Sequence, residues 1–284
     1  MRIFVTGATG FLGSHLIPLL RKRNYELLLL SRNCSGNDFI KGDLGKSASW
    51  YRRLKKFKPE VAIHLAWEGV ATYQTTPPEV AILNLENSLL LITLLSQSGC
   101  RRFVGLGSVT EYSQDVTPFI ASKIALRIFG EAISRKYGMQ FLWARPFYIY
   151  GPGQREAALL PSVIRSLRTG EIPEIKNPAM RQDFIYVGDV ARAILVIAEK
   201  SKEASAVYEI GQGKSFPIGK LVNTAYKQIG LKARYNPKSL PKGGEKNPLV
   251  ANMSSLRKLG WGPRTSFEEG IKKMVEFYRR QKNL

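Results

Sequence analysis

Cysteine, histidine and negative charge are all scarce in this chain. Of 284 residues, two are cysteine and two histidine, and 22 acidic residues face 43 basic ones. Cys34 and Cys100 sit in no metal-ligand spacing, so the expectation is reduced thiols, no metal site and a cytoplasmic setting. No apolar run approaches the roughly 20 residues that a bilayer-crossing helix needs, and strand-forming residues begin already at Ile3. Neither a membrane span nor a secretory leader is therefore expected. The shortage of acid leaves a formal net charge of +21, concentrated in Arg21-Lys22-Arg23, Arg52-Arg53-Leu54-Lys55-Lys56 and Lys272-Lys273. No aromatic-interleaved basic platform accompanies these clusters, which argues against nucleic acid as a partner. Solvated helix faces and the steering of an anionic ligand account for them. A hydrophobic fraction of 44% suffices for one large α/β domain with a smaller appendage.

What is present is organised around Val5-Thr6-Gly7-Ala8-Thr9-Gly10-Phe11-Leu12-Gly13-Ser14-His15-Leu16. A short apolar run passes at once into glycines spaced G-x-x-G-x-x-G, and an amphipathic helix follows from about Phe11 to Arg23. That order makes a strand, a tight turn and a helix N-terminus, where backbone amides and the helix dipole favour a pyrophosphate. Gly7 permits the turn, Gly10 a close approach of backbone to the anion, and Gly13 close packing of helix on strand. Phe11 and Leu12 supply the first amides of the helix. Tyr25–Leu30 reads as a buried parallel strand. Beyond it Arg32 stands where an acidic residue would accept from an adenosine ribose hydroxyl. A guanidinium there can clamp a 2′-phosphate, which favours NADP(H) over NAD(H).

The glycine form TGATGFLGSHL resembles the extended, nucleotide-sugar-modifying branch of the short-chain dehydrogenase/reductase superfamily. Further motifs in the same order carry that resemblance across essentially the whole chain. It implies a doubly wound parallel sheet, a Rossmann fold, with a small C-terminal α/β substrate domain. The cofactor domain is expected at residues 1–152 plus 183–212, and the nucleotide-sugar domain at 153–182 plus 213–284. It also implies that Asp43 and Leu44 lie at the adenine, and that Leu65 and Ala66 line the cofactor beside a packed, hydrogen-bonded His64. The apolar helix Val80–Gln97 needs cover on two sides. In the resembled family a second subunit provides it, so a homodimer through helices 80–97 and 118–136 is expected.

The chemistry falls on Ser108, Phe119 and Lys123. Ser108, four residues before Tyr112, matches a segment whose hydroxyl hydrogen-bonds the reacting carbonyl. Val109 and Thr110 stand where related dehydratases carry Asp and Glu. Phe119 and Lys123 align with the family's Y-x-x-x-K, one helical turn apart. The lysine is implied to hold the nicotinamide ribose and to lower a tyrosine pKa from its usual value of about 10. Phe119 has no hydroxyl. Three readings stay open: an introduced substitution that traps a complex, another acid such as Tyr148 or Tyr112, or binding without turnover. Tyr148 replaces a usual Asn in the substrate pocket, and Arg181 is placed near the nucleotide or its pyrophosphate. Together these imply an NADPH-dependent reductase of a CDP-, dTDP- or GDP-linked 4-keto-deoxysugar. A nucleotide-sugar epimerase and a non-catalytic nucleotide-binding member are the alternatives. Lys238–Lys246, rich in Pro, Gly and Lys, is expected to order over ligand.

Overall fold

The computed structural model describes residues 1–232 and 248–280, so the Lys238–Lys246 loop lies outside the described residues. In chain order the elements are β1 (Arg2–Thr6), α1 (Phe11–Lys22), β2 (Glu26–Ser31), β3 (Phe39–Lys41), α2 (Tyr51–Phe57), β4 (Val61–His64), α3 (Pro78–Gln97), β5 (Arg102–Leu106), α4 (Pro118–Lys136) and β6 (Gln140–Pro146). They continue with β7 (Tyr148–Tyr150), α5 (Leu159–Arg168), β8 (Arg181–Gln182), β9 (Phe184–Tyr186), α6 (Val187–Lys200), β10 (Ser205–Ile210), β11 (Phe216–Pro217), α7 (Ile218–Ile229), α8 (Ser254–Lys258) and α9 (Phe267–Arg280).

Seven strands form one sheet in the order β3-β2-β1-β4-β5-β6-β10, with parallel pairing from β3 through β6. Parallel neighbours need crossovers, and the helices between the strands supply them. Strands covered on both faces read as continuous apolar runs, and β1, β2 and β4 are buried almost throughout. The register sets Thr6 beside both Leu30 and His64, so β1, β2 and β4 end level at their carboxyl edge. That edge, where the strand order turns from β1 to β2 on one side and β4 on the other, is where open parallel sheets bind ligands.

Two compact units emerge. The first comprises Met1–Pro146, Ala191–Tyr208 and Lys258–Gly260; the second comprises Phe147–Val190, Glu209–Arg257 and Trp261–Leu284. The first is filled by Phe4, Trp50, Leu91, Ile92, Phe103, Phe141 and Trp143. Three of those rings stack, Phe103 on Phe141 at 5.6 Å and Phe141 on Trp143 at 5.8 Å. The second is filled by Leu160, Ile164, Phe184, Leu221, Phe267, Ile271 and Met274. Buried Asp183 and Asp189 tie its loops. Asp183 accepts from the amides of Gln212, Gly213 and Ala251, and Asp189 from those of Arg264 and Thr265.

One expectation needs correcting here. Pro78–Gln97 is long and apolar enough, by length and composition, to cross a membrane. Its Ala81, Leu91, Ile92 and Leu95 are buried and it packs along α4, while Ile82, Leu83 and Leu90 are exposed, so the fold covers one side of it only.

Candidate active site

The β1–α1 turn is fixed by sterics. Gly7 has φ +72, and a Cβ there would lie 2.6 Å from the Ala66 nitrogen. At Gly13 a Cβ would lie 2.6 Å from the Ala8 oxygen. Both glycines therefore hold backbone against backbone. The Gly10 amide donates to the Gly7 carbonyl at 3.1 Å, so it closes the turn and is not free for an anion. The first intrahelical bond runs from the Ser14 amide to the Gly10 carbonyl, which leaves the amides of Phe11, Leu12 and Gly13 without an acceptor one turn back. No side chain caps Gly10. Those three amides are the anion-facing groups of the turn.

Beside the turn lies a cavity of about 550 Å³. Gly7, Gly10, Arg32, Asp43, Leu44, Leu65 and Ala66 line it, as expected for the cofactor, whereas Phe11, Leu12, Gly13 and Lys123 do not. Sequence reasoning missed Trp67, Glu68, Asn84, Asn87 and Ser88, which also line it. A signal was present for three of them. Asn84, Asn87 and Ser88 are polar positions at helical spacing in the largely apolar α3, and they line the cavity. Asp43 accepts from the Gly45 amide at 2.8 Å, and Trp50 donates to the Asp43 carbonyl at 2.7 Å, fixing the loop after β3.

Arg32 is not free to meet a phosphate. Its guanidinium pairs with Glu68, and both side chains are more than half exposed. The Glu68 amide donates to Asn84 Oδ1 and Asn84 Nδ2 donates back to the Glu68 carbonyl, each at 3.0 Å. The loop that carries Glu68 is thus pinned to α3. The ground for expecting NADP(H) is weakened accordingly, because the guanidinium that would meet a 2′-phosphate is paired with a carboxylate that lines the same cavity.

His64 behaves as a packed histidine. Nδ1 lies 2.7 Å from Thr6 Oγ1 and Nε2 lies 2.9 Å from Ser88 Oγ, while Ser88 donates to the Asn84 carbonyl. Ser88 therefore accepts from Nε2–H, and Thr6 donates to Nδ1. Burial, reinforced by the charge of Lys123, pushes the His64 pKa down to about 3.

Ser108, Phe119 and Lys123 belong to the same unit. Ser108 follows β5 and caps the 3-10 turn Val109–Tyr112. Its Oγ accepts from the Thr110 amide at 3.2 Å and from Thr110 Oγ1 at 2.9 Å, which leaves its own hydrogen to donate. Glu111 completes the capping box by accepting from the Ser108 amide at 2.8 Å. Its carboxylate also accepts from Arg145 at 2.7 Å and from Trp143 Nε1 at 3.0 Å. Glu111 is a buried brace behind Ser108. Val109, expected at the substrate, is buried in the 3-10 turn. Tyr112 accepts from Arg145 at 2.7 Å, with the guanidinium 4.6 Å from the ring centroid.

Lys123 rises from the first turns of α4, which Thr117 caps through the Ile120 amide. It is 4% exposed, and Nζ donates to the Leu106 carbonyl at 2.9 Å. The indole of Trp67 lies 4.1 Å and the Phe119 ring 5.6 Å from that nitrogen. Burial pushes the Lys123 pKa down to about 8, against an opposing pull from Glu111. Phe119, 3% exposed, packs on Trp67 at 6.4 Å and on Tyr73 at 6.2 Å. In the second unit, Arg181 donates to Ser215 Oγ at 3.1 Å and to the Ser215 carbonyl at 2.8 Å. Tyr148 packs on Phe184 at 6.0 Å. Phe216 stacks on Phe267 at 5.0 Å, with Lys220 Nζ 4.5 Å over the Phe216 ring.

A glycine-walled cavity at the carboxyl edge of a parallel sheet, in a unit that also carries Ser108 and Lys123, is the arrangement of a nucleotide-binding α/β fold. Residues 3–211 match the NAD dependent epimerase/dehydratase family, and the chain belongs to it. The UDP-glucose 4-epimerase of Mycolicibacterium smegmatis is 26% identical, aligning 98% of this chain with 99% of its own. UDP-glucose 4-epimerase from Thermotoga maritima, crystallised with UDP-glucose, superposes with a TM-score of 0.85 at 25% identity over 99% of both chains. MoeE5, solved with UDP-glucuronic acid and NAD, superposes with a TM-score of 0.83 at 27% identity, covering 99% of this chain and all of that one.

Proposed function

We propose that this chain works on carbon 4 of a nucleoside-diphosphate sugar, as a 4-epimerase does, with NAD as cofactor. The observation that carries the reading is the pairing of the glycine turn with Ser108 and Lys123 in one unit. The turn fits the cofactor: Gly7 and Gly10 line the 550 Å³ cavity, and the first three amides of α1, which have no helical acceptor, suit a pyrophosphate. When bound, NAD supplies the hydride acceptor. Glu68 beside Arg32 supports NAD over NADP, because a carboxylate repels a 2′-phosphate and accepts from a ribose hydroxyl. Ser108 has one hydrogen left to donate to the sugar oxygen, and Lys123 adds a buried cation in the same unit. The relatives that bind or act on UDP sugars support an epimerase over a reductase of a CDP-, dTDP- or GDP-linked 4-keto-sugar. The missing acids at Val109 and Thr110 stand against a dehydratase. Arg181 and the Phe216–Lys220 pair are assigned to the nucleotide half of the substrate, and the charge of +21 speeds its capture.

A second reading, ligand binding without turnover, is favoured by one observation: the Phe119 ring offers no proton acceptor. Two copies are proposed to meet through α3 and α4, where Ile82, Leu90, Ile128 and Phe129 are exposed. The test is calorimetry on the unsubstituted protein with NAD, UDP-glucose, UDP and glucose. UDP-glucose and UDP are expected to bind within tenfold of each other, and glucose far more weakly. Glucose binding as tightly as UDP-glucose, or no response to any nucleotide, would overturn the substrate class.

A further inference from the structure

Strand β1 leads into the glycine turn at one end and carries Arg2 at the other, where Arg2 stands opposite Glu26 of β2. A second cavity, of about 680 Å³, opens at this amino edge of the sheet, within the first unit. Four cations line it, Arg2, Arg53, Lys56 and Lys58, against the carboxylate of Glu26.

Both guanidinium groups are held by main chain. Arg2 Nε donates to the Lys58 carbonyl at 2.8 Å. Arg53 donates through Nη1 to the Phe39 carbonyl at 2.8 Å and through Nη2 to the Asn37 carbonyl at 2.7 Å. Carbonyls fix a guanidinium without cancelling its charge, and each group keeps N–H donors to spare. Among the described residues neither pairs with a carboxylate: Glu60 accepts from the Arg2 main-chain amide at 2.9 Å, not from its guanidinium. Nearby arginines are treated differently, for Arg21 pairs with Asp38 at 3.2 Å and Arg23 with Glu199 at 3.1 Å. The helix dipole accounts for Lys56 in the last turn of α2. It does not account for Arg2 on a strand, and it opposes Arg53 in the first turn of α2. Lys58 ends that helix at φ 50, a left-handed conformation that favours glycine, so a fourth cation is kept where the backbone disfavours it.

We propose that this cavity is a second anion site and takes a polyphosphate group. Two pre-positioned guanidinium forks match phosphate oxygens, and two ammonium groups add charge without fixed geometry. Four cations spread over a cavity of this size suit a chain of phosphates better than a single one. The site is independent of what the glycine turn binds.

Calorimetry at low salt with inorganic tripolyphosphate and with ATP tests this on the whole chain, with NAD present to occupy the glycine turn. Arg53→Gln combined with Lys56→Gln is expected to weaken tripolyphosphate at least tenfold. Lys258→Gln combined with Lys272→Gln removes the same charge from exposed positions on α8 and α9 and is expected to cost less than threefold. NAD affinity should stay within threefold in every variant, and thermal melting checks folding. The exposed Lys56→Glu alone is expected to act in the same direction, should Arg53 be needed for folding. ATP within threefold of tripolyphosphate assigns the site to the phosphates alone, and tighter ATP assigns it to a nucleotide; both uphold it. Equal losses in the two double variants would reduce the effect to net charge and overturn the site. No loss at Arg53 and Lys56, or no tripolyphosphate binding at all, overturns it too. Failure of NAD to bind would strike the proposed function and leave this comparison intact.

Discussion

The glycine turn and the Lys123 cluster lie in one unit but are specified in different currencies. The turn is made of backbone: Gly7 and Gly13 leave no room for a Cβ, and its ligand-facing groups are amides that every residue carries. The cluster is made of side chains, with Phe119 where the family resemblance implies a hydroxyl and with Trp67 over the lysine. A backbone site changes only by breaking the fold locally. A side-chain site can lose its chemistry while the packing stays whole.

The sharpest way to test that difference is Phe119→Tyr. A positioned proton-transfer group contributes about 10²- to 10⁴-fold to a rate. Steady-state interconversion of UDP-glucose and UDP-galactose is expected to rise by a factor in that range, with the fold unchanged. No gain would mean that the cluster lacks more than one oxygen. The complementary break is Gly13→Ala, which forces a Cβ into backbone at the start of α1. It should cost about 1–3 kcal/mol of stability and weaken NAD binding, whereas Ser108→Ala should leave NAD affinity within threefold. Differential melting and calorimetry compare the two, and equal effects would dissolve the contrast.

His64 probes the packing that joins the regions. Its folded pKa, about 3, lies below the ordinary histidine value, so the unfolded chain takes up the proton first as pH falls. Stability present above pH ~6.5 is therefore lost as the pH drops toward 3, by up to about 1.4 kcal/mol per unit from this group. Denaturant titrations should show a shallower acid slope in His64→Asn; an identical slope would sink the assignment. The smallest expected effect is at Glu68. Glu68→Gln frees Arg32, and NADP should gain about three- to tenfold over NAD by calorimetry, as a half-exposed pair allows. A fixed ratio would show that Arg32 does not reach the ribose.

Sequence alone revealed what depends on local spacing. The glycines, the apolar runs of β1, β2 and β4, and the S-x-x-E run of Ser108 to Glu111 all carry their geometry within a few residues. The last of these was legible as a capping box, which would have assigned Glu111 to bracing Ser108. The pairing of Arg32 with Glu68 spans 36 residues and three elements, and charge alone does not say which cation meets which carboxylate. The position of Trp67 over Lys123 depends on how the β4 exit and α4 pack, which no local pattern encodes.

Phenylalanine and tyrosine codons differ only in the middle base. The Phe119 ring already sits packed between Trp67 and Tyr73, one turn from Lys123. The step between a form with the phenolic oxygen and one without it is therefore a single nucleotide change that leaves the surrounding core intact. A gene of this kind can move between the two by ordinary point mutation.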